Sequence, residues 1–226
     1  FYLLEKFQKI LMVKSIGGDF LRLQNKITVV LGEGPLFNYC VKELSKKFEN
    51  VYCLNNSGNK NRNVKKTNLI KIKKFQKIDF LFSIMNKNII KNEILDKTSY
   101  AINFHDAPLP KYAGLNSSTF GILNDEKNWG CTWHIMDEKL DKGDILFQKK
   151  FKIGPDNTAY DIDAQSQFHG HLLFQKIIKN LDKLNKFRKK QNSKEYSYYG
   201  KKQFNLIPNR GIVKLRYNFQ KIYKIY

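Results

Sequence analysis

Asn103 and His105 stand two positions apart in Tyr100-Ala101-Ile102-Asn103-Phe104-His105, an alternating run that reads as a strand. On a strand both side chains project from one face, with Phe104 turned the other way. An amide N–H beside an imidazole that titrates near neutrality suits attack on a carbonyl: the amide meets the oxygen that becomes negative, and the imidazole moves the proton. Asp141, on a charged turn at residues 137–143 between two later strands, can orient or charge-stabilise that imidazole. Polar groups at strand ends are also often simple caps, so residue types alone leave both readings open. The turn Asp106-Ala107-Pro108-Leu109-Pro110 favours chemistry, because its two prolines cannot continue a ladder and fix the chain beside His105.

His134 ends the run Gly130-Cys131-Thr132-Trp133-His134, two residues past Thr132 on a further predicted strand. It can face a cleft and touch substrate, or it can be a hydrogen-bonded structural histidine; both remain open. His169 and His171 are two apart on a predicted helix and so lie on different faces, which is not the spacing of a metal pair.

The elements that must position these groups read as an alternating α/β chain. Residues 26–31 form a β-branched run, then Gly32-Glu33-Gly34-Pro35 makes a turn, and Leu36, Tyr39, Cys40, Leu44 and Phe48 recur at helical spacing. Such a glycine turn before a helix can hold an anion on backbone N–H groups or can serve only to reverse the chain. A strand is predicted at 51–54, a polar loop at 55–68, an edge strand at 68–72 and a buried strand at 79–84 with an exit loop at 85–88. Helices are predicted at 89–95, 117–123 and 158–184, the last with Ile162, Phe168, Leu172, Ile177 and Leu181 as its apolar positions, and strands at 130–136 and 144–153. Residues 1–25 read as a leader with a short amphipathic helix, 26–184 as one catalytic domain, and 185–226 as a linker with an incomplete element or an arm on the main domain.

The ordered string N-x-H, PLPKYAG, G-x-T-x-H, LDKGDIL and a following glutamine, all within residues 100–152, resembles the folate-dependent formyltransferases. That group includes methionyl-tRNA, glycinamide ribonucleotide and sugar N-formyltransferases, and the resemblance extends more loosely over residues 26–184. It implies a Rossmann-like formyltransferase fold, a mostly parallel central sheet with helices on both faces. It also implies transfer of a formyl group from 10-formyltetrahydrofolate to a primary amine, with Asn103, His105 and Asp141 as the catalytic set and no metal. By similarity the folate lies between a wall of Phe82, Ile84, Met85 and Asn86 and the turn that carries Asp137 and Leu140. Gly32, Gly34, Lys111, Asn116 and His134 then fall on the acceptor side.

The segment KYAGLNS looks more like the formyltransferases of small amines than the tRNA enzymes, whose corresponding segment typically runs RYRGAAP. A small-molecule amine, anionic or nucleotide-linked, is therefore the expected acceptor, with tRNA the alternative. A hydrolase that releases formate and a non-catalytic homologue are further alternatives. Oligomeric state is not fixed by any of these features.

Composition sets wider bounds. The 226 residues are 42% hydrophobic and 14% aromatic, ample for a buried core. A net charge of +21 raises a polyanionic partner such as tRNA, but the basic residues are mostly lysines spread along the chain, which a compositional bias also produces. The three cysteines, Cys40, Cys53 and Cys131, lie far apart with no CxxC pair, which points away from a disulfide framework or zinc ribbon and toward a reducing cytoplasm. No apolar run reaches the ~20 residues of a membrane span.

Overall fold

The computed structural model describes residues 25–54, 63–86 and 88–207. The expected leader helix, the loop at 55–62 and the tail beyond 207 lie outside the described residues.

Ile27–Gly32 (β1) leads through the glycine turn into Gly34–Ser45 (α1), where Pro35 occupies the first turn and needs no N–H partner. Leu36, Phe37, Cys40, Val41 and Leu44 recur at helical spacing and bury one face of α1 against the sheet. The chain continues through Asn50–Cys53 (β2), Val64–Lys66 (β3), Leu69–Lys73 (α2), Ile78–Ile84 (β4), Asn92–Leu95 (α3) and Thr98–His105 (β5). These strands pair in parallel, β3 on β2, β2 on β1, β1 on β4 and β4 on β5. Ala113–Gly114 (β6) and Ser117–Leu123 (α4) follow, then Asn128–Ile135 (β7) and Ile145–Lys152 (β8), which add two antiparallel strands beyond β5. The result is a seven-stranded, mostly parallel sheet in the order β3-β2-β1-β4-β5-β7-β8. Ala159–Lys179 (α5) then crosses the sheet, and short 3-10 turns lead to Tyr198–Tyr199 (β9), paired with β6, and Lys201–Asn205 (α6).

Alternation along the strands divides the core. Val30, Phe82, Ile102 and Phe104 pack with Trp133 and Phe174 beneath α1 and α5, whereas Val29, Leu31, Leu81 and Ala101 pack with Ile72 of α2 and Ile94 of α3. Helices therefore cover both faces, as the sequence predicts. Because β1, β4 and β5 run parallel, the turns that leave them emerge at one edge of the sheet. The chain order reverses about β1 and β4, where α/β folds place their sites.

Three local expectations are corrected. Residues 68–72 form helix and not an edge strand: the Asn68 side chain accepts from the Lys71 N–H at 2.9 Å, an N-cap that turns the chain at α2, and β3 lies earlier. The helix expected at 89–95 shortens to Asn92–Leu95, since Asn86 and Asn88 bond each other in a turn and Lys91 is still extended. The last long helix starts at a capping box between Thr158 and Asp161 but ends at Lys179. Its buried stripe runs through Ile162, Ser166, Gly170, Leu173, Phe174 and Ile177, while Phe168 and Leu172 fall on the outer face and are exposed.

Candidate active site

Asn103 on β5 and His134 on β7 are direct cross-strand partners. The pairing brings the Asn103 amide Nδ2 to 3.1 Å from His134 Nε2. His134 Nδ1 lies 2.9 Å from the Ile135 carbonyl, which can only accept, so Nδ1 carries the proton and Nε2 offers its lone pair to the amide. That arrangement uses one of the two N–H groups of Asn103 and leaves the other available as a donor.

His105, at the end of β5, is 6% exposed, and its Nε2 donates to the Tyr112 carbonyl at 2.8 Å. Its other nitrogen, Nδ1, lies 3.8 Å from Asp141 Oδ2 and 4.0 Å from Asp106 Oδ1, too long for direct hydrogen bonds but close enough for strong electrostatic coupling. With Nε2–H committed to a backbone carbonyl, Nδ1 is the position that gains and loses a proton. Asp141 accepts from the Gly114 N–H at 2.9 Å, and its Oδ1 lies 3.5 Å from His134 Nε2. The structure thus gathers Asn103, His105, His134 and Asp141 into one cluster.

The charges in this cluster are mutually consistent. Burial pulls the His105 imidazole down, but the Asp141 and Asp106 carboxylates and the Tyr112 carbonyl outweigh it and leave the group raised. Burial alone would raise Asp141; the His105 charge and the Gly114 N–H prevail and hold it well below the usual carboxylate range. Burial, and next the neighbouring Asp106 carboxylate, raise the Asp163 carboxyl of α5 to about 7, against the pull of the Ser118 hydroxyl.

The two-proline turn after His105 is held by groups outside it. Thr132 Oγ1 accepts from the Leu109 N–H at 3.2 Å and donates to the Ala107 carbonyl at 2.8 Å, while Gln148 Nε2 donates to the Leu109 carbonyl at 2.7 Å. The Leu109–Pro110 bond is cis.

The remaining predicted residues fall in several places. Phe82 and Ile84 are fully buried in the core, so they present no surface to a ligand and support the site from within. Met85 has a left-handed backbone, φ 51°, that turns the chain out of β4, and the Asn86 side chain bonds Asn88. Asp137 is exposed and accepts from the Lys139 N–H, and Leu140, 47% exposed, lies beside Asp141. Gly32 has φ 140°, and a Cβ there would sit 1.7 Å from the Ile84 carbonyl oxygen, so its glycine is required by the close approach of β1 and β4. Gly34 opens α1 with no atom within 4 Å of an added Cβ. Lys111 and Asn116 are exposed on the segment after the proline turn, Asn116 with φ 55°.

Sequence reasoning missed Tyr112, Asp163, Gln191 and Ser197. Gln191 Nε2 donates to the carbonyls of Asp141 and Gly143 at 2.8 and 2.7 Å, and Ser197 Oγ accepts from the Tyr112 N–H at 2.9 Å. Both lie in the tail, whose lysine- and tyrosine-rich composition carries no period that would announce contacts with residues 50 and 85 positions earlier. Among the described residues no group of three or more His, Cys, Asp or Glu side chains could hold a metal ion, and no helix is long and apolar enough to cross a membrane.

Residues 24–178 match the family described as "Formyl transferase". The methionyl-tRNA formyltransferase of Finegoldia magna is 32% identical over 124 residues, which cover 54% of this chain and 40% of the relative. The GDP-perosamine N-formyltransferase of Brucella melitensis is 30% identical over 105 residues, 46% of this chain and 40% of the relative. The chain thus spans about two fifths of the length of these curated relatives. A sugar 3N-formyltransferase crystallised in the presence of dTDP and 5-N-formyl-THF superposes with a TM-score of 0.66 at 27% identity, covering 78% of this chain and 70% of that one. With the fold, the ordered site residues and a family match over most of the described domain, the chain belongs to the formyl transferase family.

Proposed function

We propose that this protein transfers a formyl group from 10-formyltetrahydrofolate to a primary amine of a small anionic molecule, of which a nucleotide-linked amino sugar is the best-fitting class. The observation that carries the reading is the convergence of Asn103, His105 and Asp141 at the edge of the sheet where β4 and β5 end. The amine nitrogen attacks the formyl carbon and a C–N bond forms. The carbonyl oxygen, now negative, is met by the free N–H of Asn103, a contribution on the order of 3 kcal/mol in comparable oxyanion sites. His105 Nδ1 takes the proton that the attacking nitrogen must lose, and Asp141 stabilises the imidazolium. Collapse of the tetrahedral species breaks the bond to the folate nitrogen, which leaves with that proton; N-formyl amine and tetrahydrofolate are the products.

Met85, Asn86, Asp137 and Leu140 would hold the donor beside Asp141. Lys111 and Asn116, exposed beyond the proline turn, and Gly34 at the start of α1 would face an anionic acceptor. Support comes from the GDP-perosamine N-formyltransferase and sugar 3N-formyltransferase relatives. The test is incubation with formyl donor and either dTDP- or GDP-linked amino sugars or charged initiator tRNA, followed by mass spectrometry; formylation of tRNA alone would overturn the sugar reading.

A second reading, formylation of methionyl-tRNA, is favoured by one observation: 41 Lys and Arg against 20 Asp and Glu on a chain that is 32% identical to a methionyl-tRNA formyltransferase over 124 residues. The same incubation separates the two.

A further inference from the structure

His105 is gripped on both sides by residues with left-handed backbones. Tyr112, whose carbonyl receives Nε2–H, has φ 61°, and Asp141, whose carboxylate faces Nδ1, has φ 54°. Non-glycine residues hold such conformations where surrounding contacts over-determine them. One segment, residues 188–200, contacts the backbone at both, beside the bonds that Ser117, Asn124 and Glu126 make with Tyr112 and Gly114 makes with Asp141.

On the Tyr112 side, Ser197 Oγ accepts from the Tyr112 N–H at 2.9 Å, the Ser197 carbonyl accepts from the Ala113 N–H at 2.9 Å, and the Ser197 N–H donates to the Pro110 carbonyl at 3.3 Å. The Tyr199 carbonyl accepts from the Leu115 N–H at 2.8 Å, and the rings of Tyr112 and Tyr199 stack at 5.2 Å. The fit leaves no slack: a Cβ on Gly114, φ 104°, would lie 2.1 Å from the Tyr199 carbonyl oxygen. On the Asp141 side, Gln191 Nε2 donates to the carbonyls of Asp141 and Gly143, and Lys189 exchanges two backbone hydrogen bonds with Ile145 at the start of β8.

We propose that residues 188–200 form a strap belonging to the active site, in which Ser197 and Gln191 are positioning residues that set the protonation of His105 through the Tyr112 and Asp141 backbones. The inference rests on His105 being the proton-transfer group of formyl transfer. The charged and titratable groups that face the imidazole are Asp106 at the end of β5, Asp141 on the turn after β7 and, across Asp141, His134 on β7 and Tyr196 of the strap itself. Losing either strap contact loosens one of the three groups that favour the imidazolium, Asp141 or the Tyr112 carbonyl, and leaves Asp106 in place, so the imidazole should lose protons at lower pH.

The experiment is NMR titration of the His105 ring in the full chain for wild type, Ser197→Ala, Gln191→Leu and Ser197→Thr, with thermal melts alongside. The expected result is a downward shift of the midpoint, by half a unit or more, in Ser197→Ala and Gln191→Leu, with Ser197→Thr at the wild-type midpoint because its Oγ still accepts. An unchanged midpoint in both loss variants overturns the proposal. Should Gln191→Leu fail to fold, the pair Ser197→Ala and Ser197→Thr decides alone. Because the titration needs no substrate, it stands apart from the acceptor assay: a shifted midpoint without formyl transfer would refute the formyl-transfer reading and keep the strap.

Discussion

Asn103 and His134 face each other across β5 and β7, and the lone pair of His134 Nε2 meets the Asn103 amide at 3.1 Å. The histidine therefore selects which end of the amide turns toward it, and the second N–H on that same nitrogen is what Asn103 offers to a reacting carbonyl oxygen. His134→Phe keeps an aromatic ring in the strand but removes that selection. The expected effect is a loss of about 1–2 kcal/mol of transition-state stabilisation, roughly tenfold or more in kcat. KM for the amine should change little. A raised KM with unchanged kcat would return His134 to the substrate-contact role.

Asp141 and His105 tie stability to pH in opposite directions. The depressed Asp141 carboxyl contributes stability that is present above the ordinary carboxylate value of about 3.9 and is lost as pH falls toward its lower folded value. The raised His105 contributes stability that is present below about 6.5 and is lost as pH rises through its folded value. Asp141→Asn keeps an oxygen for the Gly114 N–H and removes the charge, so it should cost about 2 kcal/mol near pH 6 and less once His105 is neutral. Urea unfolding at a series of pH values measures both, and a pH-independent loss would contradict the coupling.

Asp163 behaves in the reverse manner to Asp141. Its raised carboxyl makes the folded state most favourable below the ordinary carboxylate value, and that advantage is lost as pH rises through the folded value. Asp163→Asn should match wild type near pH 4 and exceed it in stability by about 2 kcal/mol above neutrality. Equal stability at all pH values would contradict a raised Asp163 carboxyl.

Cys40, Cys53 and Cys131 are all buried, and burial pushes the Cys53 and Cys131 thiols up to about 12. The native protein should resist alkylation at pH 8, with all three thiols modified in urea. Rapid labelling of the native protein, read by intact mass, would contradict this packing.

Much of the fold was legible because the strands carry strong patterns. The apolar run at β4 and the alternation of β5 each put the expected side chains on the expected face. Asn103 and His105 were legible as a pair because they share a strand, and Asp141 joined them through the ordered motif string, on a charged turn that ends at Gly143. What was not legible depended on one side chain or on distance along the chain. The Asn68 cap turned an expected strand into a helix, and only tertiary packing decides that Phe168 and Leu172 face outward on α5. Tyr112 and Ser197 meet across 85 residues through backbone bonds that no local pattern encodes.

The most direct measurement is formyl transfer from 10-formyltetrahydrofolate to dTDP- or GDP-linked amino sugars, comparing wild type with His105→Ala. The predicted result is a sugar product that gains one formyl group in step with tetrahydrofolate release, slowed roughly 10²-fold or more by the substitution. Turnover undiminished in His105→Ala, or no formylated sugar from any such acceptor, would contradict it.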